Sequence, residues 1–315
     1  MRWKNIAIRP EIDYSGKSSS DMKGAKEIRQ RLRAVRSTAQ ITWAMQLVAS
    51  AKRQKAQALA LRGRPYCLRL AELLRCFSEE ALRGISHPFF EKREVTHRGI
   101  LLVGTDRGLC GSLNTNVFRP VAGLENIRWM TVGKKAAQCV SRAGGELLAS
   151  FHVSDRVDFS ELRPIGEGLA QAYLQKRIDT VEVLFPSFVN TLLQTPVLQR
   201  VLPMRDFQSE FEALLQRSRL RPEDFCPDPR EMLWEPGIAE LLEELSHAFF
   251  RYQLYQILLE AKASEQSARM VAMKTATDNA ENLSKELNLE YNKVRQTTIT
   301  NEIVELSTAQ LGMEE

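Results

Sequence analysis

GIAELLEELSHAFFRYQLYQILLEAKASEQSARMVAMKTATDNAENLSKELNLEYNKVRQTTITNEIVELSTAQLG, residues Gly237 to Gly312, contains no proline, and no glycine lies between its two ends. Two tracks run through it at a seven-residue spacing. One reads Ile238, Leu245, Tyr252, Leu259, Gln266, Met273, Ala280, Leu287, Val294, and the other Leu242, Phe249, Gln256, Ala263, Met270, Thr277, Ser284, Tyr291, Thr298. Alternating steps of four and three are the seam of a coiled coil, which needs a partner helix along its length. At 1.5 Å per residue, such a helix would be roughly 110 Å long. Globular helices rarely pass about 25 residues, so a lone core helix fits poorly.

The partner is legible near the other end. From Ala25 to Leu61, the residues Ile28, Leu32, Val35, Ala39, Thr42, Met45, Ala49, Ala56 and Leu59 recur mostly at three- and four-residue steps. Basic residues crowd its other faces, and Gly63 with Pro65 predicts an end. A further amphipathic helix is expected over 65–83, carried by Leu68, Ala71, Leu74, Phe77 and Leu82. Between the terminal helices the pattern changes. Gly99–Val103, Ile127–Val132 and Val181–Phe185 are short apolar runs of the buried-strand type, alternating with helix-like stretches at 133–143 and 164–176.

The expected architecture is a long antiparallel coiled coil of the N- and C-terminal helices with an inserted small, Rossmann-like α/β domain. Its parts are an extension over 1–21, a coiled-coil helix over 22–62, a helical connector over 63–97, the α/β domain over 98–202, a proline-bearing connector over 203–236 and the second coiled-coil helix over 237–315. Met1–Ser20 has no apolar core of the secretory type, and its Glu11 and Asp13 argue against a transit peptide. It reads as a disordered or mis-started extension.

Composition sets limits on function. Lys plus Arg is 44 against 39 for Asp plus Glu, a net charge of +5, too weak a basic bias to imply nucleic acid. The 5 cysteines are scattered without a C-x-x-C pair, which reads as reduced thiols. The 4 histidines show no metal spacing, and no catalytic grouping or cofactor motif stands out locally. The loop Asp106–Asn114 has glycines after a strand, yet it lacks the Lys-Ser/Thr of a P-loop, and Gly108 and Gly111 miss the dinucleotide spacing. Asp106 and Arg107 could lock the turn, with Cys110 as a small buried thiol.

Three separated blocks carry a resemblance. The first runs from Gly24-Ala25-Lys26-Glu27-Ile28-Arg29 into Ile41-Thr42-Trp43-Ala44-Met45 and Val48-Ala49-Ser50-Ala51-Lys52. The second is Thr105-Asp106-Arg107-Gly108-Leu109-Cys110-Gly111-Ser112-Leu113-Asn114. The third runs from Ala268-Arg269-Met270-Val271-Ala272-Met273-Lys274 to Tyr291-Asn292-Lys293-Val294-Arg295-Gln296 and Ile299-Thr300-Asn301-Glu302-Ile303. In this order they resemble the gamma subunit of F-type ATP synthases, its bacterial members in particular. Two departures stand out. Gln40 and Trp43 occupy positions where that family usually has lysines, and family chains usually begin near the position of Met22.

The resemblance implies a central rotor shaft that couples ion flow to ATP synthesis or hydrolysis, and a chain that is not an enzyme by itself and holds no cofactor. Implied partners are three alpha and three beta subunits, an epsilon subunit and a membrane-embedded c-subunit ring, on the cytoplasmic side of a bacterial plasma membrane. Carried over by position, Arg295, Gln296, Thr300 and Glu302 are expected to contact a beta subunit. Met45 and Arg269 are expected to be coupling-sensitive shaft positions, and Asp106, Arg107, Gly108, Cys110 and Gly111 form a motif loop of unassigned role. Two rival classes stay open from the residues alone: a coiled-coil scaffold, and a nucleotide-binding α/β protein with helical arms.

Overall fold

The computed structural model describes residues 15–76, 87–91, 93–123, 126–204, 235 and 237–311. In chain order its regular elements are α1 (Ser15–Cys76), β1 (Arg98–Val103), α2 (Leu113–Phe118), β2 (Ile127–Val132), α3 (Lys134–Arg142), β3 (Glu146–Phe151), α4 (Leu162–Leu174), β4 (Thr180–Phe188), β5 (Gln194–Leu202) and α5 (Ile238–Leu311). They divide into two compact units, one from Met1–Ala44 with Lys274–Glu315 and the other Met45–Met273.

In the first unit the two chain ends pair as helices. The Thr42 and Thr277 hydroxyls share a 2.7 Å hydrogen bond, and Arg36 Nε donates to Ser284 Oγ at 3.4 Å. Stepping back along α1 therefore steps forward along α5, the signature of antiparallel pairing. Along α5, residues 277, 280, 284, 287, 291, 294 and 298 are buried or half-buried while most of their neighbours are exposed, so the heptad tracks are the seam. Leu32 and Thr42 on α1 meet it, at 6% and 9% exposure.

The second unit is built on a five-stranded sheet of order β3-β2-β1-β4-β5, parallel except for the β4–β5 hairpin. Successive residues of β1 alternate between two cores, as the period of two requires. Leu101 and Val103 face α4 (Ile165, Leu169, Tyr173), the end of α1 (Leu68, Ala71, Leu74) and α5 (Phe249, Phe250, Leu254). Ile100 and Leu102 face Val117 of α2 and Ala136 and Val140 of α3. Both faces covered, the parallel strands read as continuous apolar runs. Glu182 of β4 is the buried charged exception, ion-paired to Arg98 of β1 and, at 3.1 Å, to Arg200 of β5.

Two expectations change. The helix does not stop at Gly63 and Pro65: α1 runs on to Cys76. Gly63 lies inside the helix and is buried, and a Cβ there would meet the Gln256 amide and the Tyr252 hydroxyl of α5. Its glycine therefore serves packing and not termination. Leu59, expected on the seam, is 37% exposed. The backbone is already helical from Ser15, while the rest of the 1–21 extension, the 77–86 part of the predicted second helix and most of the 203–236 connector fall outside the described residues. Among the described residues, no helix is long and apolar enough to cross a membrane.

Candidate functional site

On α5, every residue from Ala261 to Ser267 is buried, although the sequence Ala-Lys-Ala-Ser-Glu-Gln-Ser is mostly polar. A helix enclosed on all sides is ordinarily apolar, since buried charges must be paired to be tolerated. Here the pairing is supplied by three loops at the carboxyl edge of the sheet. Two of them meet the face of α5 that carries Lys262, Glu265 and Arg269, and the third meets the face that carries Glu260 and Ser267.

The motif loop after β1 is the first grip. Arg269 Nη2 donates to the carbonyls of Arg107 and Gly108, 3.4 Å each, and is held by Glu265 Oε1 at 2.9 Å. Those carbonyls are aimed by residues inside the loop. Thr105 Oγ1 donates to Arg107 O at 2.8 Å, and Asn114 Nδ2 donates to Thr105 Oγ1 at 2.8 Å and to Cys110 Sγ at 3.4 Å. Left-handed backbone at Leu109 (φ 63°) and Gly111 (φ 59°) lets the loop double back. Burial pushes the Cys110 thiol above its ordinary pKa, against the opposing pull of the Arg269 charge and the Thr105 hydrogen bond.

The Asp106–Arg107 turn lock is replaced by a different arrangement. Gly133 at the start of α3 has no side chain to cap that helix, and Asp106 Oδ1 accepts from Lys134 N at 3.1 Å in its place. The other carboxylate oxygen of Asp106 lies 3.1 Å from His152 Nδ1, and Arg107 contributes its carbonyl while its side chain is exposed.

The β4–β5 hairpin is the second grip. Glu260 Oε1 accepts from Ser187 Oγ at 2.5 Å and Phe188 N at 3.2 Å, and Ser267 Oγ donates to Thr191 O at 2.9 Å. The loop after β3 is the third. Its Asp155 pairs with Lys52 of α1 at 2.5 Å and lies 3.9 Å from Lys262 of α5, which also binds Glu265 at 3.1 Å. Burial alone would raise the Asp155 pKa, but the Lys52 hydrogen bond and the charges of Lys262, Lys52 and Arg269 outweigh it and hold the carboxyl below its ordinary value.

This clamp occupies the place where an open α/β sheet of this strand order would take a ligand, outside the carboxyl ends of the neighbouring strands β1 and β4, where the strand order reverses. Leu258, Ala261, Lys262 and Glu265 of α5 cover Val103, Gly104 and Thr105 there, leaving a cavity of about 10 Å³. That is room for one water at most, so the motif loop grips a helix where a nucleotide-binding loop would grip phosphate. Among the described residues, no group of three or more His, Cys, Asp or Glu side chains could hold a metal.

A family model described as "ATP synthase" matches residues 24–310. The ATP synthase gamma chain of Opitutus terrae is 42% identical over 92% of this chain and 99% of its own length. That of Methylacidiphilum infernorum is 40% identical over 93% of this chain and its full length. The chain belongs to the ATP synthase gamma-chain family. As a gamma chain it is a central-stalk subunit of an F-type ATP synthase and not an enzyme on its own. The fold agrees with the Euglena gracilis mitochondrial ATP synthase solved as OSCP/F1/c-ring, at TM-score 0.62 and 16% identity, covering 92% of this chain and 95% of that one.

Within the gamma chain the sequence-predicted residues fall into three groups. Arg269 is brought to the motif loop, a pairing that their separation of 161 residues hid. Met45 is half-buried on α1. Arg295, Gln296, Thr300 and Glu302 are all exposed on α5, with the Thr300 hydroxyl donating to Gln296 O at 2.9 Å. Sequence reasoning quoted Thr105, Asn114 and Lys52 within its motif blocks without a role, and missed Asp155, Glu260, Lys262, Glu265 and Ser267. One signal was available: Lys262, Glu265 and Arg269 lie at the three- and four-residue steps that stack charges on one helix face.

Proposed function

We propose that this chain is the rotor shaft that couples ion flow through a membrane-embedded c-subunit ring to ATP synthesis or hydrolysis in a head of three alpha and three beta subunits. The helical unit engages the head, and the sheet-bearing unit engages the epsilon subunit and the ring, on the cytoplasmic side of a bacterial plasma membrane. Arg295 and Gln296 hydrogen-bond a loop of one beta subunit at a time, and Thr300 and Glu302 tune that contact. Coupling then follows from differential contact: an asymmetric shaft stabilises a different conformation of each beta subunit as it turns. Met45 is a coupling-sensitive position on the same shaft.

The observation that carries this reading is the outer face of α5. Ile299, Ile303 and Leu306, at 43%, 61% and 72% exposure, share that helix end with Arg295, Gln296 and Glu302. Apolar side chains interleaved with donors and acceptors suit a helix enclosed by a protein sleeve. In the test, the chain is purified from cells with its alpha and beta subunits, as wild type and as R295A/Q296A. Loss of a shielded charge-assisted bond of about 1.5–3 kcal/mol is expected to slow ATP turnover of the assembled head roughly tenfold or more. Normal assembly with wild-type turnover overturns the placement of the contact, and failure of the wild-type chain to bring down alpha and beta subunits overturns the rotor reading.

A further inference from the structure

Asp155 stands on a platform that the fold fixes from below. Val153 and Val157, two residues to either side, are 2% and 1% exposed. Ser154 N donates to Glu161 Oε2 at 2.9 Å, and Val157 N donates back to Ser154 O at 3.2 Å. From this platform one carboxylate oxygen reaches Lys52 Nζ of α1 at 2.5 Å, and the other lies 3.9 Å from Lys262 Nζ of α5. Lys262 passes the contact to Glu265 at 3.1 Å, Glu265 to Arg269 at 2.9 Å, and Arg269 to the motif-loop carbonyls. One line of alternating charge therefore crosses from α1, through the sheet-bearing unit, along one face of α5.

The apolar packing beside this line is smooth. Ala49 and Ala56 on α1 and Ala263 on α5 are small buried side chains beside it, at 1%, 4% and 3% exposure. Alanine surfaces let helices approach closely but interlock little, and dispersion between them has no preferred direction. They oppose separation well and rotation of one helix about its own axis poorly. A fixed carboxylate hydrogen-bonded to Lys52 of α1, and within ion-pair reach of Lys262 of α5 at 3.9 Å, is directional and opposes that rotation. Its partly exposed Lys52 end adds little to stability, because surface ion pairs generally do not. Its value is geometric.

We propose that Asp155 is a positioning residue for rotary coupling, fixing the azimuth of α1 and α5 through the line Lys52–Asp155–Lys262–Glu265–Arg269. Without Asp155, Lys262 keeps Glu265 and Lys52 turns to water, so the fold survives while the azimuthal tie is lost. A shaft that slips under load then lets hydrolysis proceed while less of each turn reaches the other end.

Because this rests on the rotor reading, the wild-type chain is assayed beside the variants in the complete ATP synthase, in membrane vesicles. The readout is ion pumping per ATP hydrolysed. Co-purification of alpha and beta subunits with the wild-type chain tests the rotor reading separately. D155N is expected to lower the ratio by about threefold, the scale for residues that relay coupling without touching either site. D155E is expected to restore the ratio, K52M to lower it as D155N does, and K52M/D155N to be no worse than either single variant. A merely structural role would reduce assembled complex and thermal midpoint while leaving the ratio untouched. Should D155N fail to assemble, K52M reads the same contact from the exposed side of α1. A wild-type ratio in D155N, or in K52M alone where only that variant assembles, overturns the proposal, as does a lowered ratio that D155E does not restore.

Discussion

Gly108 and Gly111 stand three residues apart in one loop, and the same added methyl group is expected to affect them differently. At Gly108 a Cβ meets nothing within 4 Å, and the backbone is not left-handed. Gly111 has φ 59°, with only an ordinary 3.9 Å contact to the Ala272 methyl, so its cost is conformational. Left-handed backbone costs a residue with a side chain roughly 1–2 kcal/mol. Gly108→Ala should therefore stay within about 0.5 kcal/mol of wild type in chemical denaturation, as exposed positions do, and Gly111→Ala should lose about 1–2 kcal/mol. Equal effects at the two sites would mean that the loop reads as a motif for reasons other than its backbone. From sequence the two glycines were indistinguishable. Only φ separates them, and φ at a loop position is not written in residue identity.

At the scale of elements, what was legible followed periodicity. The seam of α5 could be read to the residue because a seven-residue repeat sustained over many turns has no other good explanation, and β1, β2 and β4 stood out as fully buried apolar runs. The edge strands did not. In β5, Leu198 faces outward at 42% exposure and the strand carries Thr195, Gln199 and Arg200, so half its pattern belongs to solvent. In β3, all six residues are exposed or half-buried, which leaves no buried run to detect. α2 spans 6 residues, too short for periodicity to register. The clamp was hidden for another reason: its partners lie far apart in sequence, and only the topology of the sheet brings them to one edge. The run of α1 through Pro65 yields a prediction at this scale. Proline inside a helix removes a backbone donor and crowds the preceding turn, at about 3 kcal/mol relative to alanine in an ideal interior position. Pro65 is exposed, so replacing it removes no buried packing. Pro65→Ala is expected to raise the stability of the isolated chain by about 1 kcal/mol or more. A fall in denaturation midpoint would show that proline at this position supports the native packing of α1.

For the molecule as a whole, three groups with lowered pKa values define how stability falls on acidification, in two separate windows. His87 caps the turn Pro88–Phe90, its Nδ1 accepting from Phe89 N at 3.1 Å, with its ring 5.2 Å from Phe89, 5.3 Å from Phe90 and 6.2 Å from His247. Burial lowers its pKa below the ordinary 6.5, the neighbouring His247 lowers it further, and Glu243 opposes both. The unfolded chain takes up this proton near 6.5 while the folded chain does not, so stability falls as pH drops through 6.5 until the folded His87 titrates. The second window belongs to Asp155 and Asp179. At each, burial would raise the pKa but is outweighed, at Asp155 by its lysines and at Asp179 by hydrogen bonds from the His97 and Thr96 backbone and the Thr96 hydroxyl. Their contributions are fully present above the ordinary value of 3.8 and are lost as pH falls below it through the depressed folded values. The thermal midpoint of the isolated chain should therefore begin to decline near pH 6.5 and decline again below about pH 4. His87→Asn keeps a capping acceptor and cannot titrate, so it should abolish the first decline and leave the second in place. A first decline that persists in His87→Asn would assign it to another group, whereas a second decline absent from wild type would mean that Asp155 and Asp179 have the same proton affinity folded and unfolded.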